Sequence, residues 1–314
     1  MHDILLINHA VLPDAGEDSF ALFSDEQGTF LCVTDGCGGL GSKRYEQLEN
    51  RTGAYIAARL AARDFADWAK ERQPVPENKA SGDILCAELS ESIFHVLKGF
   101  ADVHCAQENS RIVGSMQRRL PCTLCAVTVK GNRLCYWWAG DSRGYVLDEN
   151  GLHQYTRDHV KGQPEAFETN YRDAPLSNLL SADQKGRIQL RTLTLETPSL
   201  VLLATDGVYS SLPTPMEVEM LLLDTLKPAR NMGGWESRLS KHIAANAQDD
   251  ATLMMLPVGF ENFEQLKAVL LPRRESLQKQ FITPVRRHKG NIQYAREKWL
   301  QYKPSYDRTE EKHE

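Results

Sequence analysis

The sequence predicts an α+β fold, a sandwich of sheets with helices set apart from them. Three observations carry this. Apolar strand-like runs come in groups, and patterns of helical spacing come in consecutive pairs between the groups. Gly131-Asn132 and Asn150-Gly151 join successive runs through dipeptides that tolerate positive φ, as hairpins require. A doubly wound parallel sheet would instead alternate strand and helix one by one.

Taken in order, residues 3–11 and 29–34 are short apolar runs that read as strands. Residues 47–70 place Leu48, Tyr55, Ile56 and Leu60, then Phe65 and Trp68, at helical spacing until Pro74 and Pro76 end the pattern. Leu85, Leu89, Ile93, Leu97 and Phe100 mark a second helix. Strands follow at 122–130, 133–139, 143–147 and 152–156, joined by the two hairpin dipeptides. Residues 157–186 are polar and carry no assigned element. The run at 188–195 alternates, whereas 200–205 is continuously apolar, the pattern of a strand buried on both faces. Helices are expected at 215–225 and 235–246 and a last strand at 251–258.

The chain has 314 residues, a length that buries enough surface to fold without disulfide or metal staples. No apolar run approaches the roughly 18 residues of a membrane helix, and Asp3 precedes the short apolar stretch at 4–7, unlike a signal peptide. A soluble cytoplasmic protein, without membrane or nucleic-acid partners, is expected. The net charge of −5 argues against nucleic acid but is uneven. Residues 1–260 hold 25 Lys and Arg against 34 Asp and Glu, a net of −9, whereas 261–314 hold 12 against 8, a net of +4. The division expected is a body over 1–258 and a basic helical C-terminal appendage over 259–314. Seven cysteines are irregularly spaced; Cys122 and Cys125 lie on a strand, where residues three apart face opposite ways, so packing rather than chelation is expected.

Aspartates at strand ends carry the chemistry. Thr34-Asp35-Gly36, Gly140-Asp141-Ser142 and Thr205-Asp206-Gly207 share one design, and Asp249-Asp250 immediately precedes the last strand. Each alone reads equally as a turn or helix cap. Four at the ends of separate core strands demand a counter-charge, and no matching Lys or Arg sits in these motifs. A hard divalent cation, or two, held by oxygen ligands answers that demand.

These residues also carry a resemblance. Asp35-Gly36-Cys37-Gly38-Gly39, the strand and hairpin of 122–141 ending in Gly140-Asp141-Ser142-Arg143, Thr156-Arg157-Asp158-His159, Ala204-Thr205-Asp206-Gly207-Val208 and Asp249-Asp250-Ala251-Thr252 occur in this order. Over about residues 3–258 the sequence resembles the 2C-type, metal-dependent serine/threonine protein phosphatases, bacterial forms included. The resemblance implies a four-layer αββα sandwich of two antiparallel β-sheets flanked by helix pairs. It implies two Mg²⁺ or Mn²⁺ ions: Asp35 bridging them, Asp206 and Asp249 completing one, the Gly36 carbonyl and Glu17 through water serving the other. Asp18 is then a direct ligand or an acceptor for metal-held water, and Asp141 belongs to a third, weaker metal site. The implied reaction is hydrolysis of phosphoserine or phosphothreonine in a protein by metal-activated water, without a covalent intermediate, opposite a cognate kinase. Two alternatives share the fold: a pseudo-phosphatase that binds phosphoprotein without turnover, and a hydrolase of small phosphorylated metabolites.

Two positions depart from that family. Pro13 stands where an Arg usually grips the phosphate, leaving His9, Lys43, Arg44 and Arg143 as candidate replacements. Cys37 stands where many members carry His or Met, and is a poor general acid. Trp137-Trp138 read as packing and His159 as structural, while His95 and His104 are too far apart on one helix to act together. In the C-terminal segment, Phe263, Leu266, Val269 and Leu270 form an apolar face expected to break at Pro272. The basic run 286–289 and the spacing of Ile292, Ala295, Trp299 and Tyr302 read as a helix packed on the body or as a partner-docking element. Residues 307–314 are expected to be disordered.

Overall fold

The computed structural model describes residues 4–26, 28–72, 74–105, 118–170 and 174–309. In chain order the first half contains β1 (Leu5–His9), β2 (Ser19–Asp25), β3 (Gly28–Thr34), β4 (Arg44–Tyr45), β5 (Arg51–Thr52), α1 (Gly53–Arg72) and α2 (Lys79–His104). Then come β6 (Leu124–Lys130), β7 (Arg133–Ala139), β8 (Arg143–Asp148), β9 (Gly151–Gln154), the single turn α3 (Ala166–Thr169), β10 (Gln189–Thr194) and β11 (Ser199–Ala204). The last third holds the single turn α4 (Asp206–Tyr209), α5 (Pro215–Leu226), α6 (Met232–Asn246), β12 (Ala251–Val258), α7 (Phe263–Leu277), α8 (Thr283–Arg287) and α9 (Ile292–Tyr306).

Two five-stranded antiparallel sheets form, ordered β1-β12-β11-β8-β9 and β10-β7-β6-β3-β2. Strand alternation assigns the layers. Leu31 and Val33 of β3, Cys125 and Val127 of β6, Val201 and Leu203 of β11 and Met254 and Leu256 of β12 meet in one cluster between the sheets. The opposite face of the second sheet (Phe30, Cys32, Ala126, Trp137) packs on Ala57, Ala61, Phe65 and Trp68 of α1 and Leu89, Ile93 and Leu97 of α2. The opposite face of the first sheet (Leu200, Leu202, Leu253, Met255) packs on α5, α6 and α7. The result is the four-layer αββα sandwich. Cys122 and Cys125 fall in different layers, and all seven cysteines are free thiols. Trp137 packs edge-on to Trp68 while Trp138 turns between the sheets. Among the described residues no helix is long and apolar enough to cross a membrane.

Four expectations need correction. β2 was not expected: its outward Phe20 and Leu22 are exposed apolar residues, so this edge strand lacks the polar alternation of a half-buried one. α1 starts at Gly53 rather than residue 47, because Glu49 and Asn50 adopt positive φ and turn Arg51-Thr52 back to pair with β4. The Thr52 hydroxyl then accepts from the Tyr55 N–H at 3.1 Å as the helix cap. α7 runs through Pro272, because Leu266, Leu270 and Leu277 are buried on both sides of it and outweigh the roughly 3 kcal/mol proline penalty. The tail is ordered at its start: Asp307 pairs with Gln154, and the Arg308 N–H donates to the Gln154 carbonyl at 3.0 Å. Residues 310–314 of the expected disordered segment, and residue 3 of the first expected strand, lie outside the described residues.

The C-terminal helices belong to the core of the first sheet's outer layer. Leu266, Leu270, Leu277, Trp299, Tyr302 and Tyr306 join the cluster built on α5. Ion pairs of Arg273 with Glu219, Arg274 with Asp224 and Arg286 with Glu217 dock the basic segment on the acidic face of α5. The uneven charge along the chain is thus neutralised in cis.

Candidate active site

The strand-end carboxylates arrive at one rim, where ends of both sheets meet. Glu17 and Asp18 precede β2, Asp35 and Gly36 follow β3, Asp141 links β7 to β8, Asp206 opens α4 after β11, and Asp249 precedes β12. Short polar contacts fix this convergence. The Thr123 N–H donates to the Asp35 carbonyl at 2.8 Å, and the Thr123 hydroxyl shares a 2.8 Å hydrogen bond with Ser142 beside Asp141. Gly140, at φ +107, makes that approach possible, since a Cβ there would press on the Thr123 side chain. Asp250 accepts from the N–H groups of Val11 (2.8 Å) and Glu17 (2.6 Å), holding the loop that carries Glu17.

Asp18 joins the two sheets. It is 2% exposed, and its Oδ2 accepts from the hydroxyls of Thr205 and Thr252, both at 2.8 Å. Its Oδ1 is buried with no hydrogen-bond partner among the described residues. Burial pushes its pKa up to about 7, with Asp206 and Asp250 adding to the rise against the two threonine hydroxyls. Asp35 keeps a little exposed surface yet is crowded by protein. That desolvation, and then Asp206, Asp18, Asp141 and Asp249, hold its carboxyl well above the usual range. Asp141 is raised well above it too, by desolvation, Asp206 and Asp158. Glu17 is raised by burial and by Asp250 and Asp249, opposed by the Thr52 hydroxyl that donates to it and by Arg44.

Aspartates that raise one another across several strand ends, and a buried carboxylate oxygen without a donor, are the donor chemistry of a divalent-cation site. Glycine keeps it open: a Cβ on Gly38 would overlap the Glu17 carboxylate, and one on Gly207 would overlap the Asp250 carbonyl. Among the described residues no three His, Cys, Asp or Glu side chains stand close enough to hold a metal as they are. The carboxylates are gathered at one rim and raise one another.

Residues 9–245 match the family described as protein phosphatase 2C. The chain belongs to the protein phosphatase 2C family. Its fold is similar to that of the serine/threonine phosphatase Stp1 from Staphylococcus aureus (TM-score 0.63, 16% identity, 83% of this chain and 96% of that one). It is similar also to PppA from Pseudomonas aeruginosa (TM-score 0.58, 16% identity, 82% and 98%) and to the serine/threonine phosphatase PstP from Mycobacterium tuberculosis (TM-score 0.55, 18% identity, 82% and 99%). No curated protein matches the sequence.

In this phosphatase 2C chain the four candidate phosphate-binding cations have unlike surroundings. Arg143 is turned into the body: it is 0% exposed, binds both Asp158 oxygens (2.7–3.2 Å) and Thr169 (2.5 Å), and lies 3.6 Å over the Tyr209 ring. A buried guanidinium so engaged has no path to a substrate. Lys43 lies 5.6 Å over the Tyr45 ring, and His9 sits half-buried at the end of β1 opposite Ala251. Arg44 is exposed, donates to the Asn50 carbonyl at 2.8 Å, and its charge reaches Glu17. Sequence reasoning missed Arg51 and Arg59, which flank the Tyr55 ring at 4.5 and 3.3 Å and donate to the Asp14 and Gly16 carbonyls. Positive charge at the Pro13 loop therefore comes from α1 and its approach. Only the helical spacing of Arg51, Tyr55 and Arg59 could have signalled this.

His159 is held by contacts within the body. Its Nδ1 accepts from the Gly140 N–H at 3.1 Å and faces the Asn178 amide at 2.8 Å, with the ring stacked on Trp138. Burial lowers its pKa, so the neutral ring that accepts is favoured. Burial, and then Asp35, lift the Cys37 thiol well above its ordinary value, which makes it a poor proton donor.

Proposed function

We propose that the protein hydrolyses phosphoserine or phosphothreonine esters of a protein substrate, using Mg²⁺ or Mn²⁺. The observation that carries this reading is the convergence of Asp18, Asp35, Asp141, Asp206 and Asp249 on one rim in a phosphatase 2C chain. Uncatalysed phosphomonoester hydrolysis needs up to about 10²¹-fold acceleration, and one carboxylate base supplies roughly 10²- to 10⁴-fold. The carboxylates therefore hold cations rather than act as bases. Asp35, Asp206 and Asp249, with Glu17 and the Gly36 carbonyl, would hold two ions, and Asp141 a third. Bound divalent ions supply water acidified toward neutral pH and positive charge against the phosphoryl group. Asp18 holds the Thr205 and Thr252 ends of β11 and β12, and with them Asp206 and Asp249, in register. Arg44, Arg51 and Arg59 supply the positive rim that draws a phosphoryl dianion past six carboxylates.

The catalytic unit in this reading is 1–258, with 259–314 docked on it. Seven unpaired thiols support a reducing, cytoplasmic setting, with a cognate kinase as the opposing activity. Turnover of a phosphothreonine peptide with Mn²⁺, abolished by chelator and by Asp206→Ala, tests the reading; activity that survives either sinks it. Pro13 favours a second reading, a pseudo-phosphatase that binds phosphoprotein. Peptide binding without turnover at saturating metal would establish that one instead.

A further inference from the structure

A buried series of hydrogen bonds, an ion pair and one cation–π contact runs from the C-terminal helix to the acidic rim. The Tyr306 hydroxyl on α9 donates to Gln154 Oε1 at 2.8 Å. Gln154 Nε2 donates to Asp158 Oδ1 at 3.2 Å and to the Thr156 carbonyl at 2.7 Å. Asp158 grips Arg143, whose guanidinium lies over the Tyr209 ring, and the Tyr209 hydroxyl donates to the Asp141 carbonyl at 2.9 Å. Tyr209 is also the last residue of the single turn that Asp206 opens. Arg143, Gln154, Tyr209 and Tyr306 are buried, Gln154 and Tyr306 to 4% and 1% exposure, and the Asp158 side chain is 6% exposed. α9 lies beyond residue 245, where the family match ends, so this end of the chain of contacts is additional to the matched region.

We propose that Tyr306 is a positioning residue of the active site, and that α9 sets the placement of Asp141 and Asp206 through Gln154, Asp158, Arg143 and Tyr209. The physical reason is the low dielectric around the series. There a buried Arg–Asp pair leans on each hydrogen bond its carboxylate keeps; Arg143 Nη1 is already buried without a partner among the described residues, and Gln154 is the group that α9 holds against Asp158. Loss of the Tyr306 hydroxyl frees Gln154 to rotate, loosens Asp158, and lets the Arg143–Tyr209 contact and the Asp141 loop shift together. The basic C-terminal segment is then part of the catalytic apparatus and not a detachable arm. This inference rests on the proposed metal-dependent reading.

The test uses the full chain as wild type, Tyr306→Phe, Tyr209→Phe and the double variant, each keeping its ring. Lys303→Met is the control: it removes the 2.9 Å bond from the same helix to Glu165, outside the series. Mn²⁺ binding is followed by calorimetry without substrate, and kcat and KM by phosphothreonine-peptide turnover. Expected for Tyr306→Phe is a Mn²⁺ dissociation constant raised about threefold to tenfold, the factor one lost neutral hydrogen bond is worth, and kcat lowered with KM unchanged. The double variant should be no worse than the more severe single one, because both act on one unit. Lys303→Met should lower the melting temperature slightly and leave Mn²⁺ binding alone. Multiplicative losses in the double variant, or Mn²⁺ binding by Tyr306→Phe equal to wild type, overturn the proposal. A wild type that binds Mn²⁺ but turns nothing over refutes the phosphatase reading alone, and the binding arm still decides this one.

Discussion

The Asp18 carboxylate, at the entry to a strand of one sheet, accepts a 2.8 Å hydrogen bond from the hydroxyl of Thr205, at the end of a strand of the other. One buried acid thereby ties the sheets together at the rim where the other carboxylates gather. Its raised pKa makes the junction sensitive to pH and to cations.

For Asp18 the sign follows from its folded pKa of about 7 lying above the ordinary 3.8. Its contribution to stability is full below about pH 4 and is lost as pH rises through 7. A shift of that size is worth on the order of 4 kcal/mol. In chelator, thermal melts should fall between about pH 4 and pH 7, and Asp18→Asn should lessen the fall, the raised Asp35 and Asp141 carboxyls keeping the rest. A wild-type melt independent of pH over that window would count against it.

Asp206 is the neighbouring charge that most raises both Asp35 and Asp141. Asp206→Ala should therefore raise the melting temperature of the metal-free protein at pH 8 while lowering Mn²⁺-supported turnover by more than about 100-fold, beyond the loss of an outer hydrogen-bond partner. Calorimetric melts with and without Mn²⁺ check both halves.

Gly207 and Gly39 should behave oppositely toward alanine. A Cβ at Gly207 would overlap the Asp250 carbonyl, whereas nothing lies within 4 Å of one at Gly39. Gly207→Ala should cost about 1–3 kcal/mol in urea unfolding and weaken Mn²⁺ binding; Gly39→Ala should be neutral.

Arg143 and Asp158 form a pair with side chains 0% and 6% exposed. Asp158→Ala leaves a buried guanidinium without its anion and should cost about 3–5 kcal/mol. Arg143→Met combined with Asp158→Leu should recover part of that loss, as read from urea midpoints; a double variant less stable than Asp158→Ala would contradict the burial argument.

Arg44, one of the four cations named from the sequence, lowers the Glu17 pKa through its charge. Arg44→Ala should raise KM for a phosphothreonine peptide about tenfold, with kcat nearly unchanged. Unchanged KM would transfer the role to Arg51 and Arg59, whose alanine variants are the next measurement.

Local patterning made much of the fold legible. Alternation assigned Cys122 and Cys125, and Trp137 and Trp138, to opposite faces, and the layers bear this out. The continuous run at 200–205 marked β11 as buried on both sides. β2 escaped because its outward face is apolar as well, and the start of α1 because Glu49 and Asn50 take positive φ, which helix periodicity does not encode.

Residue type and local spacing were enough to mark which groups carry charge at strand ends. Asp35, Asp141, Asp206 and Asp249 are recognisable because acid beside glycine at the end of an apolar run is costly without a counter-charge. What those charges meet was set by the packing of distant elements. It placed Arg143 against Asp158 rather than toward the rim, brought Arg51 and Arg59 to the loop of Pro13, and set the hydroxyls of Thr205 and Thr252 on Asp18. It also seated Tyr306 in a network leading to Asp141, more than 160 residues away in the chain. The physical reason is range. Periodicity and turn chemistry act over a few residues, whereas a desolvated charge takes whichever partner the packing of distant elements brings within hydrogen-bond distance.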